Sequence, residues 1–118
     1  METKIIKISE DDVSEDKFRE AGQIIRDGGL VAFATETVYG LGADALNKEA
    51  SAKIYAAKGR PSDNPLIVHI ADVKALDELA KDVDAKTRML AEAFWPGPLT
   101  MIVNKSDIVP YSITGGLD

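Results

Sequence analysis

The sequence of 118 residues contains no cysteine, and this absence excludes several kinds of chemistry at once. There is no thiolate nucleophile, no disulfide framework, no thiolate zinc site and no iron–sulfur cluster. A single histidine excludes a multi-histidine metal site. Aromatic residues make up only 6% of the chain. No apolar run approaches the roughly 20 residues of a membrane-spanning helix. The first residues, Met-Glu-Thr-Lys, lack the charged-then-apolar layout of a signal peptide, so a cytoplasmic protein without a membrane segment is expected. Basic residues are outnumbered, 14 against 20 acidic, for a formal net charge of −6. A broad basic face for unspecific nucleic-acid binding is therefore not expected, and the acidity is read first as solubility.

What the chain does have is an ordinary globular balance, 45% hydrophobic and 29% charged. Its length fits one domain with a real core. Apolar β-branched runs at residues 4–8 (KIIKI), 30–34 (LVAFA), 66–70 (LIVHI) and 99–103 (LTMIV) read as strands. The second is continuous enough for a strand buried on both faces. Between them lie helical patterns. Ser14 is placed to cap a helix with Phe18, Ala21, Gly22 and Ile25 on one face, stopped by Gly28-Gly29. Asn47 is placed to cap a second helix through Lys58, with Ala50, Ile54 and Ala57 on one side and Gly59 at its end. Asp72 and Asp84 are cap candidates for two more, the first carrying Val73, Leu76 and Leu79, the second Met89, Leu90, Ala93 and Phe94. Trp95-Pro96-Gly97-Pro98 breaks the last helix and reads as a structural hinge, and residues 104–118 are weakly patterned. This alternation gives an α/β class with a mixed sheet.

Three segments at strand ends carry candidate chemistry, because open α/β sheets bind ligands there. In Thr35-Glu36-Thr37-Val38-Tyr39-Gly40-Leu41-Gly42, an extended backbone puts the Thr35 and Thr37 hydroxyls on one side, suited to a small polar ligand or to a capped turn. In Lys58-Gly59-Arg60-Pro61-Ser62-Asp63-Asn64-Pro65, two cations separated by glycine and followed by proline suit a phosphate clamp. A solvated helix end with cations at the negative pole of the dipole is the other reading. The Walker order is absent. His69 lies in an apolar run with Ile67 on its side, and a lone strand histidine is more often a hydrogen-bonded structural residue than a catalyst.

Taken in order, TETVYGLGA (residues 35–43), KGRPSDNPLIVHI (58–70), WPGPLT (95–100) and the closing TGGLD resemble the YrdC-like family of threonylcarbamoyl-AMP synthases. The resemblance runs from about residue 4 to the last. It implies a YrdC-like twisted open mixed sheet with flanking helices around a concave, positively charged cavity. It implies synthesis of L-threonylcarbamoyladenylate from L-threonine, bicarbonate and ATP, usually with Mg2+, with release of pyrophosphate. A downstream tRNA threonylcarbamoyltransferase then uses the product. Carried over by motif position, Thr35, His69 and Tyr39 are expected to contact L-threonine, and Lys58, Arg60 and Asn64 to contact ATP. Lys58 and Arg60 would stabilise charge on the phosphates. No protein ligand is assigned to the metal.

The sequence departs from the family pattern twice. Ala34 stands where proline usually precedes the Thr-Glu-Thr segment. An arginine-bearing strand and a Ser-x-Asn motif that follow Gly-Leu-Asp in the family have no counterpart in these 118 residues. The expectation is therefore a single YrdC-like domain over residues 1–118, truncated on its C-terminal side, with weak or no synthase activity alone and association through an exposed face. Two other functions stay open. One is an RNA-binding module using the same concave surface through Lys53, Lys58 and Arg60, with weak RNA contact. The other is a carbamoyl-transfer component of hydrogenase maturation, in which a similar domain is embedded in a longer chain.

Overall fold

A computed structural model describes residues 2–59, 61 and 64–118. Among them are five helices and one two-stranded sheet, in the order α1 (Glu15–Arg26), β1 (Val31–Phe33), β2 (Gly40–Gly42), α2 (Lys48–Lys58), α3 (Ala75–Leu79), α4 (Ala85–Phe94) and α5 (Tyr111–Thr114). The α/β class expected from the sequence holds.

Helix ends follow local chemistry closely. Helix α1 closes with paired bonds from Gly28 N–H to the Ile25 carbonyl (3.0 Å) and from Gly29 N–H to the Ile24 carbonyl (2.8 Å). Gly28 takes φ 84°, where a Cβ would be strained. Ser14 holds the expected cap position in extended geometry, although its side chain makes no cap bond. The Asn47 side chain accepts from the amides of Glu49 and Ala50. Gly59 ends α2 in the left-handed region. Asp84 accepts from the Thr87 amide at 2.7 Å. The contact holds its carboxyl below the ordinary value, first through the backbone bond and then through the Thr87 side chain. Asp72 accepts from the Lys74 amide, and α3 begins just after that turn.

The sheet differs from expectation. The 30–34 run contributes only β1, paired antiparallel with β2 in the register Val31–Gly42, Ala32–Leu41, Phe33–Gly40. It is not buried on both faces, since Ala32 and Phe33 are exposed. The glycine-bearing segment 35–42 supplies the second strand, Gly40–Gly42. Residues 4–8, 66–70 and 99–103 carry no ladder, so among the described residues the sheet is antiparallel rather than mixed. Apolar β-branched composition favours extension, but a ladder requires a second segment in register. Here the neighbours are not strands. Leu66 N–H donates to the Ile113 carbonyl at α5 (2.8 Å), and beyond residue 103 the chain is met by the end of α3, through Lys81 N–H to the Asn104 carbonyl (2.9 Å) and Ser106 N–H to the Leu79 carbonyl (2.8 Å).

The core is Ala50, Ile54 and Tyr55 of α2, Leu76 and Ala80 around α3, Ala91 of α4, and Val109 and Ile113 beside α5. Helix α5, within the tail that carries little pattern, packs on α2. Its Ser112 hydroxyl lies 3.1 Å from that of Ser51, a serine only 1% exposed. Several expected apolar faces are not core faces. Helix α1 buries no residue. In α4 the buried position is Ala91, while Met89, Leu90 and Phe94 are exposed. Ala57 of α2 is exposed as well. Amphipathic spacing marks the side available for packing, and partners decide how much of it is covered.

Candidate functional site

The β1–β2 hairpin carries the first candidate group. Phe33 ends β1, and its ring lies over Gly40 and Gly42, the two glycines of β2. A Cβ on Gly42 would stand 2.8 Å from Phe33 Cε1, and one on Gly40 3.3 Å from Cε2 and Cζ. The two glycines are thus the space the ring occupies. Beyond them the ring meets His69 edge to face, centroids 6.4 Å apart at 76°. His69 Nδ1 lies 3.3 Å from the Ile67 carbonyl. A carbonyl can only accept, so Nδ1–H is the donor in that contact, and Nε2 takes no part in it.

Thr35 opens the hairpin loop. Its Oγ1 donates to the Val38 carbonyl and accepts from the Thr37 amide at 3.3 Å. The Thr37 hydroxyl lies 3.5 Å away, so the two hydroxyls do share one side. The hydroxyl of Thr35 therefore holds the turn. The Thr35 methyl would lie 3.6 Å from a Cβ on Gly40, the glycine that Phe33 covers. Thr35 and Phe33 thus both border Gly40, and the Phe33 ring in turn meets His69. Tyr39, 78% exposed, belongs to a different surface. It lines an open cleft with Ile5, Ile8, Asp12 and Lys17 of the N-terminal segment. Lys17 ties that segment down by donating to the Lys7 carbonyl at 2.6 Å and pairing with Asp12.

The second candidate group lies at the C-terminal end of α2. Lys58 is the last helical residue and is exposed, with Gly59 at φ 62° turning the chain immediately after it. Arg60 lies outside the described residues, as do Ser62 and Asp63. Asn64 is exposed; its amide donates to the Pro61 carbonyl at 3.3 Å, and its carbonyl accepts from the Tyr55 hydroxyl at 2.6 Å. Among the described residues, Lys58 Nζ has no hydrogen-bond or ion-pair partner. Its charge is therefore available to an anion. Among the described residues no hydrogen bond or ion pair joins Lys58 or Asn64 to Thr35 or His69. The two groups sit at the end of β1 and the end of α2.

Phe33 and Tyr55 organise these groups, and neither stands out in the sequence as a site residue. The alternation of Gly40 and Gly42 opposite an aromatic at the end of an apolar run is the one signal for Phe33. Tyr55 sits one turn before Lys58 on the face of Ile54, a position that reads as core alone.

A protein-family model of the Sua5/YciO/YrdC group, described as "Telomere recombination", matches residues 23–118. The threonylcarbamoyl-AMP synthase of Pyrococcus abyssi is 56% identical over 116 residues, 98% of this chain and 34% of that protein. The threonylcarbamoyl-AMP synthase of Bacillus subtilis is 49% identical over 106 residues, 89% of this chain and 31% of that protein. The crystal structure of P. abyssi Sua5 complexed with L-threonine superposes with a TM-score of 0.86 at 57% identity, over 90% of this chain and 31% of that one. The chain thus spans about a third of the length of these relatives. With the family model covering most of its residues and both the fold and the sequence aligned across nearly all of it, the chain belongs to the Sua5/YciO/YrdC family.

Proposed function

We propose that this chain supplies L-threonine and ATP contacts for the synthesis of L-threonylcarbamoyladenylate, the intermediate that a tRNA threonylcarbamoyltransferase consumes. The observation that carries the reading is the likeness, in sequence and fold, to a Sua5 structure complexed with L-threonine. Thr35 and His69 support it, because a hydroxyl and an imidazole are hydrogen-bonding partners for the polar groups of an amino acid.

In this reading the threonine amine attacks bicarbonate, forming an N–C bond and losing water to give a carbamate. A carbamate oxygen then attacks the α-phosphorus of ATP. The bond from that phosphorus to the bridging oxygen breaks, and pyrophosphate leaves with the electron pair. Lys58 and Arg60 would hold the growing negative charge, with Asn64 beside them. His69 and Thr35 would orient the amino acid so that three reactants meet in one geometry. No side-chain nucleophile is required. Among the described residues no cluster of three or more histidine or acidic side chains could cage a metal. Mg2+ enters this scheme as the counterion of ATP, and no step is assigned to it.

The test is titration calorimetry of this chain with L-threonine and then with ATP, beside Arg60→Ala. Both ligands bind the unaltered chain, and Arg60→Ala loses ATP affinity and any pyrophosphate release while keeping threonine affinity. Pyrophosphate release by the 118 residues alone is expected to be weak, since the runs at 4–8, 66–70 and 99–103 lack ladder partners. Wild-type-like ATP binding by Arg60→Ala would sink the clamp assignment.

A further inference from the structure

Tyr55 is 8% exposed, yet its polar end is not spent on the core. The hydroxyl donates to the Asn64 carbonyl at 2.6 Å and has the Ser112 carbonyl as a second acceptor at 3.3 Å. It lies on α2 one turn before Lys58, so the two residues are fixed to each other by the helix itself. The hydroxyl is therefore a tie between the helix that carries Lys58 and the backbone of Asn64, reached only after the chain has left α2 and returned. The same place is braced from the far side. Leu66 N–H donates to the Ile113 carbonyl at 2.8 Å, and Ser112 is itself held to Ser51 of α2 at 3.1 Å.

We infer that Tyr55 is a positioning residue for nucleotide binding, its hydroxyl fixing Asn64 relative to Lys58. The inference rests on the reading of Lys58 and Asn64 as ATP contacts, and adds a residue that would touch no substrate. The physical reason is that Asn64 is exposed and follows a helix end, where backbone freedom is large. Each ATP contact gains only if its partner contact is already in register, and one hydrogen bond from a buried, rotamer-restricted phenol supplies that register.

The experiment compares the unaltered chain with Tyr55→Phe, which keeps the ring and removes the hydroxyl. Amide hydrogen exchange reports the tie itself. In Tyr55→Phe the Asn64 and Leu66 amides exchange faster, while those of α1 do not change. Calorimetry reports its consequence. The Kd for ATP rises roughly fivefold, the size of one hydrogen bond's net contribution, and the Kd for L-threonine stays within about twofold. A residue with a merely structural role would move both ligands together or neither. A measurement that needs no variant accompanies these: the Tyr55 ring resonances shift on adding ATP and stay in place on adding L-threonine. Unchanged exchange at Asn64 and Leu66 would overturn the tie. Unchanged ATP affinity in Tyr55→Phe, or ring resonances unmoved by bound ATP, would overturn its role. Absence of ATP binding by the unaltered chain would overturn the nucleotide reading itself, and with it the role of Tyr55, while exchange would still report whether the tie exists.

Discussion

Phe33 and His69 meet edge to face, with ring centroids 6.4 Å apart, although 35 positions separate them in a chain whose described sheet has only two strands. The phenyl ring reaches His69 across Gly40 and Gly42, and neither glycine has a positive φ. These glycines are therefore selected by the volume of the ring rather than by backbone conformation. A side chain on either would push the ring toward the histidine, and so would be felt at a group we assign to threonine.

Gly42→Ala places a Cβ 2.8 Å from Phe33 Cε1, a distance that the ring must relieve by moving. Overpacking of this kind costs about 1–3 kcal/mol. Denaturant unfolding of Gly42→Ala is expected to show that loss, and calorimetry a weaker affinity for L-threonine. Phe33→Leu in the same chain removes the obstructing atoms, so the cost of Gly42→Ala shrinks in that background. Strictly additive costs would mean that the ring is not what the new methyl meets.

How far such relationships are legible in the sequence depends on how local they are. The caps at Asn47 and Asp84 and the stops at Gly28 and Gly59 lie within four residues of the groups they satisfy, and the structure places all four where the sequence does. The candidate site residues were legible as motifs, but not their grouping. The Phe33 ring meets His69 and borders Gly40 as Thr35 does, and Tyr39 lines a cleft with the N-terminal segment. The runs at 4–8, 66–70 and 99–103 failed as ladder strands because pairing belongs to two segments and composition to one. Helix α5 has four residues and no periodicity to read; its position is fixed by Ser51, Tyr55 and Leu66, all distant in sequence.

Asp84 offers a test of capping through pH. Its carboxyl is held below the ordinary value of 3.8, chiefly by the Thr87 amide. A folded-state value that is depressed contributes stability above the unfolded value, and that contribution is lost as pH falls through the folded one. Thermal melts from about pH 6 to about pH 2 are expected to fall more steeply for the unaltered chain than for Asp84→Asn, which keeps an acceptor oxygen but no titrating charge. Parallel curves for the two would remove the cap from the acid response.

The turn between α1 and β1 is the place where one residue serves two helices. Gly28, at φ 84°, closes α1, and its carbonyl accepts from Lys53 Nζ of α2 at 2.7 Å. A Cβ there would stand 3.3 Å from Nδ2 of Asn47, whose Oδ1 caps α2. Gly28→Ala therefore combines a strained left-handed alanine with crowding of the cap amide, and is expected to cost about 1–3 kcal/mol. Asn47→Ala removes the cap bonds alone, at about 1 kcal/mol. It also removes the atom that the new methyl would crowd. The double variant should thus unfold at a lower denaturant cost than the two single losses added together, a non-additivity read from three unfolding curves. If the losses simply sum, the strain at Gly28 is confined to its own backbone and the two helices are capped independently.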